Sequence, residues 1–246
     1  MHDIRYDSVH DEILVNNPFA QAILVFRGGA NGEEAPIRII QGPNTRLQGT
    51  GAQAGGADRL DVDPVHDEIF IPAGDRILVY SRTGNGDVPP LRVITGPDTK
   101  LKRAQAIAVD PVHNVIVIGT NNLYQNHLGA LLIYNRTDTG NVQPRGTIVG
   151  PKAGVMSVNQ IVAYSPKGWI VAAQTGDYGE AEPEGVFVGI WSVNDNGDVS
   201  PRWKLGGPKS TIKKPRGVAL NPKDKELMIA DMRLNSVLTF YFPEIF

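Results

Sequence analysis

The sequence of 246 residues contains no cysteine, which excludes disulfide bonds and thiolate metal ligands. It also contains no apolar run of 18 residues, so it indicates no membrane-spanning helix. The N-terminal stretch MHDIRYDSVHDE is polar and predicts no signal peptide. A cytoplasmic protein and a trimmed extracytoplasmic form both agree with these features, and we assign no compartment.

Neither sign of charge is in excess, because 24 Lys and Arg residues stand against 26 Asp and Glu residues. The net charge of −2 gives no overall basic signature for nucleic acid. The chain is rich instead in residues that favour turns, with 27 glycines and 18 prolines. With 41% hydrophobic residues, this composition favours an all-β globular domain with one sizeable core.

An eighteen-residue segment occurs four times without insertion or deletion. Its copies read FRGGANGEEAPIRIIQGP from Phe26, YSRTGNGDVPPLRVITGP from Tyr80, YNRTDTGNVQPRGTIVGP from Tyr134 and WSVNDNGDVSPRWKLGGP from Trp191. The aromatic residues that begin the copies are 54, 54 and 57 residues apart. A second element, seen as HDIRYDS, DRLDVDP, QAIAVDP, QIVAYSP and RGVALNP, occurs five times. The chain therefore has five repeat starts and four complete repeats.

Each repeat predicts four strands, which we call a, b, c and d in chain order. Strand a ends at an Asp-Pro-like turn, strand b is an apolar run such as EIFI, and strand c leads into the aromatic anchor. Asn-Gly in the c–d hairpin supplies the positive φ of a tight turn. Proline ten residues after each anchor places strand d at a sheet edge, because proline cannot donate to a ladder. The pattern predicts a β-propeller of four-stranded antiparallel blades.

Three stretches resemble the repeats of NHL-repeat β-propellers, namely GVALNP…ELMIADMRLNSVLTF (217–240), IAVDPVHNVIVIG (107–119) and LDVDPVHDEIFI (60–71). The resemblance covers essentially the whole chain and implies a single propeller domain over residues 1–246. Its blades are expected at approximately 1–57, 58–104, 105–158, 159–214 and 215–246. Propellers of this type serve as enzymes, RNA binders and protein-interaction platforms, so the resemblance selects no function.

The fifth repeat is incomplete in the sequence. Its strand c reaches the anchor Phe240, and six residues follow where another seventeen would be needed to reach a Gly-Pro turn. We predict a last blade of three strands, with an unpaired edge that favours pairing with another chain or with missing sequence. The chain is then either part of a six-bladed or larger propeller or able to self-associate through this blade.

Charges of opposite sign occupy matching positions of strand a in the first two repeats only. Asp3 is level with Arg59, and Arg5 is level with Asp61. We predict that these residues form two ion pairs across the boundary between blades 1 and 2, near the propeller axis. If exposed to water, each pair contributes about 0–1 kcal/mol.

Two sets of residues raise the question of a metal site. His10, His66 and His113 follow equivalent a–b turns on separate blades, which predicts a role in the turn rather than a shared zinc ion. The first residues of the five inner strands ring the channel mouth, and they are His2, Asp58, Gln105, Gln160 and Arg216. A metal-dependent hydrolase or lyase holding calcium or zinc there is the alternative function, although one carboxylate is few for calcium. No catalytic residue and no other cofactor are predicted, because no serine stands in a GxSxG turn.

The b–c loops vary in length, whereas the c–d hairpins do not. Blade 2 has the short loop PAGD (72–75), while blades 3 and 4 have GTNNLYQNHLGA (119–130) and QTGDYGEAEPEGV (174–186). Variable loops on a constant frame are where a site can be built. We therefore predict a non-enzymatic binding or scaffold propeller that holds a small polar ligand, a glycan or a peptide between blades 3 and 4. The predicted ligand-binding residues are Gln105, Asn121, Asn122, Tyr124, Asn126, His127, Gln160, Asp177, Tyr178 and Arg216.

Two other interpretations of this face remain open. The long loops could simply pack over the channel and plug it. The d–a connectors are basic and could attract an anionic ligand or nucleic acid. Their basic residues are Arg46, Lys100, Lys102, Arg103, Lys152, Lys209, Lys213 and Lys214. Acidic residues of the blade 4 loop and a shortage of aromatic residues argue against nucleic acid.

Overall fold

The computed structural model describes residues 3–47, 59–121, 128–176 and 184–246. These residues form strands, turns and short 3-10 segments, and no helix among them is long and apolar enough to cross a membrane. The strands are β1 (Asp3–Asp7), β2 (Glu12–Asn17), β3 (Ala22–Arg27), β4 (Arg38–Gln41), β5 (Asp61–Asp63), β6 (Glu68–Pro72), β7 (Arg76–Ser81), β8 (Arg92–Thr95), β9 (Ala104–Asp110), β10 (Val115–Thr120), β11 (Leu131–Asn135), β12 (Gly146–Ile148), β13 (Val158–Tyr164), β14 (Trp169–Thr175), β15 (Val186–Ser192), β16 (Trp203–Gly206), β17 (Pro215–Asn221), β18 (Glu226–Asp231) and β19 (Ser236–Tyr241).

The strands form five antiparallel sheets in chain order. Four sheets have four strands, β1 to β4, β5 to β8, β9 to β12 and β13 to β16, and the fifth has three strands, β17 to β19. The first strand of each repeat lies at one edge of its sheet, and β4, β8, β12 and β16 lie at the other. The predicted four-strand repeat, the edge position of strand d and the three-stranded last blade are all confirmed. The glycines of the Asn-Gly hairpins have the expected positive φ, as in Gly86 at 76°.

The hydrophobic core lies between successive sheets rather than inside one of them. In blades 2 to 4, strands b and c are buried on both faces because each of these blades is packed between two others, as the fully buried β6 illustrates. Separate apolar clusters join blades 1 and 2, 2 and 3, 3 and 4, and 4 and 5. Each large aliphatic side chain buried there contributes about 1.5–3 kcal/mol to folding.

The c–d hairpin is repeated because it hydrogen-bonds the preceding blade. The amide of Gly86 donates to the carbonyl of Ile39 at 2.6 Å, and the amide of Gln41 donates to the carbonyl of Gly86 at 3.1 Å. Gly140 and Gly197 form the same short parallel bridge with strand d of the blade before them. We call this arrangement the hairpin contact. It pairs an edge that would otherwise be open, so strand d of the first three blades is protected on both sides.

A side chain that follows the hairpin glycine completes the hairpin contact. Asp87 accepts a hydrogen bond from the amide of Asn44 at 2.7 Å, in the 3-10 turn that ends the preceding blade. Asn141 and Asp198 occupy the same position in the next two hairpins and accept equivalent bonds at 2.9 and 2.8 Å. The Gly-Pro elements of the first three repeats therefore each end in a turn that the following blade caps.

The first residue of strand b contacts side chains of its own blade and of the following one. Glu12 accepts from Arg38 of its own strand d at 2.6 Å and from Arg82 of blade 2 at 2.7 Å. Glu68 repeats this arrangement with Arg92 at 2.5 Å and with Arg136 of blade 3 at 2.6 Å. Two boundaries are thus joined by nearly buried carboxylates, each held by two guanidinium groups.

Blades 3 and 4 replace this ionic arrangement with apolar contacts. Val115 stands where Glu68 stands in blade 2, and Val193 stands where Arg136 stands in blade 3, and both valines belong to the same buried cluster. In blade 4 the position is Trp169, whose ring meets the ring of Trp203 edge to face at 5.4 Å between centroids. Where the first residue of strand b differs between blades, the residues that contact it therefore differ as well.

The three histidines of the a–b turns each bond the aspartate three residues earlier. The Nδ1 atoms of His10, His66 and His113 lie 2.8 Å from the carboxylates of Asp7, Asp63 and Asp110. The same carboxylates accept amide hydrogen bonds within their own turns. The predicted turn role of these histidines is confirmed.

The boundary between blades 5 and 1 differs from the others. In blade 1, Ile4 and Tyr6 are 62% and 58% exposed, and in blade 5, Val237 and Tyr241 are 67% and 73% exposed. None of the apolar clusters of the described residues joins these two blades. The described residues of blades 1 and 5 therefore carry exposed apolar side chains at this boundary.

Candidate functional site

Two ion pairs lie where the inner strands of blades 1 and 2 meet. The Nε atom of Arg5 is 3.2 Å from Oδ1 of Asp61, and Nη1 of Arg59 is 3.7 Å from Oδ1 of Asp3. All four side chains are largely buried, with 3–17% of each exposed. The pairing predicted from the sequence is confirmed, and it orders blades 1 and 2 about the axis.

The same two arginines cross the axis to the opposite blades. Arg5 donates to the carbonyl of Ile161 at 3.3 Å, and Arg59 donates to the carbonyl of Asn159 at 2.8 Å. Arg59 also reaches the carbonyl of Arg216 at 3.4 Å. Guanidinium groups from blades 1 and 2 therefore connect these blades to blades 4 and 5.

Side-chain oxygens around this polar centre form hydrogen bonds between neighbouring blades. In each case an aspartate or amide of one blade accepts a hydrogen bond from a backbone amide in the next blade. The pairs are Asp3 with Leu60 at 3.0 Å, Asp61 with Val109 at 2.8 Å, Asn121 with Val158 at 3.0 Å, and Gln160 with Val218 at 2.8 Å. The polar residues of the inner strands thus fix the spacing of the blades.

The pKa of Asp61 provides a test of this polar centre. Loss of hydration raises the pKa of its carboxyl above the ordinary value of 3.8, and Arg5 and two backbone amides offset this only in part. A raised folded-state pKa means that ionisation of Asp61 opposes folding. This cost is absent below pH 3.8 and grows as the pH rises from there through the folded-state pKa.

We therefore expect the wild-type chain to lose stability relative to Asp61→Asn as the pH rises from about 4 to about 7. Thermal denaturation of both proteins across this range measures the difference. Asp75→Asn, at an exposed carboxylate of blade 2, is the matched control for the removal of one carboxylate. Parallel curves for wild type and Asp61→Asn would contradict the assignment.

Four of the predicted ligand-binding residues fall in the described part of the chain. Asn121 is 7% exposed and donates to the side-chain oxygen of Gln105. Gln160 donates to Asp3 at 3.3 Å, and Arg216 donates to Oδ1 of Asn159 at 2.7 Å. The structure thus places two of them together between blades 3 and 4, and the other two in the polar centre.

The remaining predicted site residues lie outside the described residues. They are Asn122, Tyr124, Asn126, His127, Asp177 and Tyr178, and the same holds for His2 and Asp58 of the predicted channel ring. In the described ranges, no three His, Asp or Glu side chains come close enough to hold one metal ion. The two carboxylates of the polar centre, Asp3 and Asp61, are engaged by arginine.

Sequence reasoning missed two residues that organise the base of this face. Asn159 is 1% exposed and donates to Thr175 at 2.9 Å while accepting from Arg216. Gln174 accepts from the amide of Met156 at 2.7 Å and donates to the carbonyls of Gly154 and Gly185. The sequence signal for Asn159 is the adjacent polar pair Asn-Gln in a strand, where the register of β13 shifts.

Comparison with known proteins relates the chain to others through its fold alone. No family model and no curated protein match the sequence. In contrast, 631 chains of solved structures match. One belongs to the crystal structure of a mitotic checkpoint complex, with a TM-score of 0.62, 12% sequence identity and 97% of this chain covered. The fold is a β-propeller.

The matched chain in that complex is longer than the present one. The present chain spans 61% of the length of the propeller-containing chain in that complex. At 12% identity the similarity concerns the arrangement of blades and not the residues of any site.

Proposed function

We propose that this propeller is a non-enzymatic binding domain, which takes up a polar peptide segment of a partner protein between blades 3 and 4. The main support for this proposal is that contacts within and between blades already occupy the opposite face. There, three hairpins form the hairpin contact and three a–b turns are closed by Asp–His pairs. The b–c loops of blades 3 and 4 are the elements whose length the repeat does not fix.

The base of these loops supports the proposal. Asn121 is held by Gln105 and by the amide of Val158, and Gln174 makes three hydrogen bonds at the base of the next loop. Buried, fully bonded polar groups give a rigid frame, and a rigid frame reduces the entropy that a loop loses when it binds. The tyrosines and amides of the two loops suit contacts with a polar main chain.

The choice of a peptide over a small polar ligand or a glycan rests on analogy. The similar propeller occurs in a mitotic checkpoint complex, which is an assembly of proteins. We also propose that the chain is an NHL-type propeller, on the strength of its inner-strand and b-strand sequences. This assignment is compatible with a protein-binding role.

Selection from a random peptide display library on the immobilised chain tests the proposal. We expect a selected peptide to bind Tyr124→Ala and Tyr178→Ala about tenfold more weakly, with unchanged melting temperatures. Val112→Ala is the matched control, because Val112 is 71% exposed on an a–b turn of the opposite face. Lost stability with unchanged binding would show that the loops are structural, and hits on a glycan array alone would contradict the peptide assignment.

A further inference from the structure

Strand β19 lacks a partner on its outer side. In each of the other four sheets a fourth strand lies beside strand c, whereas β19 pairs only with β18 among the described residues. The residues that follow β19 turn toward blade 4. There Ile245 is fully buried, and the ring of Phe246 lies 5.2 Å from the ring of Tyr164. No strand of the described residues therefore covers the outer edge of β19.

The other blades define the register that a fourth strand would adopt. The residue three places before the aromatic anchor faces Ile or Leu of strand d in every complete blade. The pairs are Ile23 with Ile40, Ile77 with Ile94, Leu131 with Ile148, and Val188 with Leu205. In blade 5 the anchor is Phe240, so Val237 holds this position. Its side chain lies on the open face of blade 5 and is 67% exposed.

The main chain of β19 offers hydrogen bonds at matching positions. In blades 1, 2 and 4 the carbonyl one place before the anchor accepts a bond from the segment that enters strand d, at 2.8, 2.7 and 2.8 Å. The equivalent residue in blade 5 is Thr239. Because the hydrogen-bonding groups of an antiparallel strand alternate in direction, Val237 and Thr239 both present their main chain outward.

The charge of the first residue of strand b predicts the first residue of the missing strand. Where strand b begins with glutamate, strand d begins with an arginine that binds it, as in Glu12 with Arg38 and Glu68 with Arg92. Where strand b begins with Val115 or Trp169, strand d begins with glycine or tryptophan instead. Strand β18 begins with Glu226. The rule of the repeat therefore assigns an arginine to the strand that pairs with β19.

We propose that β19 accepts an extended strand of another polypeptide with the sequence pattern Arg-x-Ile-x-Gly. The strand runs antiparallel to β19, with its isoleucine opposite Val237 and its arginine against Glu226. This is β-strand addition, in which main-chain bonds supply affinity and alternate side chains supply specificity. It is a second binding surface, independent of the proposed site between blades 3 and 4.

A second copy of this chain does not fit the same edge. Strand β19, SVLTFY, contains no basic residue, so pairing of two β19 edges would leave Glu226 without a cation. The chain's own strands with arginine at this position, β4 and β8, are already paired on one side with strand c and bridged on the other by the next hairpin. No described strand with an arginine at this position is therefore free to pair with β19, and we assign the complementary strand to another polypeptide.

A synthetic peptide, VPPLRVITGP, copies residues 88–97 and serves as the probe. We expect it to bind the chain in fluorescence anisotropy, and a peptide with glutamate in place of its arginine to bind about tenfold more weakly. With Glu226→Arg the preference should reverse, so that the glutamate peptide binds better. Val237→Pro should weaken both peptides because it removes an outward amide, whereas Val237→Thr retains that amide and should bind the original peptide.

Three results would overturn the inference. They are absence of binding, equal binding of both peptides to the wild-type chain, and a dimer in sedimentation that is lost in Val237→Pro. Tyr124→Ala and Tyr178→Ala should bind the probe as the wild type does. A failure of the blade 3 and 4 site therefore leaves this result unaffected, and the two proposals fail separately.

Discussion

Glu68→Ala is expected to lower the free energy of unfolding by about 3–5 kcal/mol. Glu68 is only 7% exposed and carries Arg92 and Arg136 on its two oxygens. Its removal takes the nearest carboxylate from two guanidinium groups at the boundary of blades 2 and 3. Arg136 keeps the more distant carboxylate of Asp63 at 3.6 Å, and breaking a buried ion pair by removing one partner is costly. Urea denaturation at neutral pH measures the change.

Glu226→Ala is the matched control, since Glu226 holds the same repeat position in blade 5 with only asparagine as its described partner. It should cost less than about 1 kcal/mol. The effect of Glu68 should also depend on pH. Burial opposes its ionisation, but the bonds and charges of Arg92 and Arg136 outweigh this and hold the pKa of Glu68 below 4.5. Its stabilisation is therefore complete above pH 4.5 and is lost as the pH falls through the lower, folded-state pKa. Equal costs for the two glutamates would contradict the ionic boundary.

Gly150→Ala is expected to destabilise the chain by about 3 kcal/mol or more. Gly150 has a φ of 136°, a conformation that a residue with a Cβ rarely adopts. An added Cβ would also overlap the carboxylate of Asp198, which caps the turn after blade 3. The substitution therefore strains the backbone and displaces the hairpin contact between blades 3 and 4.

A substitution at Gly207 distinguishes backbone strain from displacement of the hairpin contact. Gly207 is the equivalent glycine of blade 4 with a φ of 90°, and an added Cβ would meet nothing within 4 Å. Gly207→Ala should therefore show the backbone strain alone, about 1–2 kcal/mol. A difference between the two variants in thermal or urea denaturation is the contribution of the hairpin contact. Equal effects would mean that the hairpins contribute nothing to the joining of blades.

Much of the fold was predictable because the repeat carries it locally. Alternating apolar residues, Asn-Gly hairpins and Pro at the start of strand d each specify a strand or turn within a few residues of themselves. The Arg5–Asp61 pair was also predictable, since the repeat aligns the two positions. Val237 and its missing partner followed from the length of the last repeat.

The interblade contacts were not predictable from local patterns. The hairpin contact joins Gly86 to Ile39, and the carboxylate contact joins Arg136 to Glu68, and in both cases the partners are far apart in sequence. A polar residue on an inner strand looks the same in sequence whether it binds a ligand or a neighbouring blade. Gln160 illustrates this, because the structure places it between Asp3 and the amide of Val218.

The distribution of these contacts bears on where the molecule can bind a partner. Among the described residues, three hairpins, the inner strands and the first residues of several b strands are engaged between blades. The outer side of blade 5 and the exposed face of blade 1 are not, and the b–c loops are the elements whose length the repeat does not fix. Both proposals therefore concern surfaces that the repeat does not use.

Hydrogen exchange of the chain alone tests the uncovered edge most directly. The amides of Val237 and Thr239 should exchange nearly as fast as in an unfolded peptide, because none of the described strands covers them. Their counterparts Val188 and Ile190, which β16 covers, should be strongly protected. Comparable protection at both pairs of positions would contradict the open edge of blade 5 and the binding of a strand there.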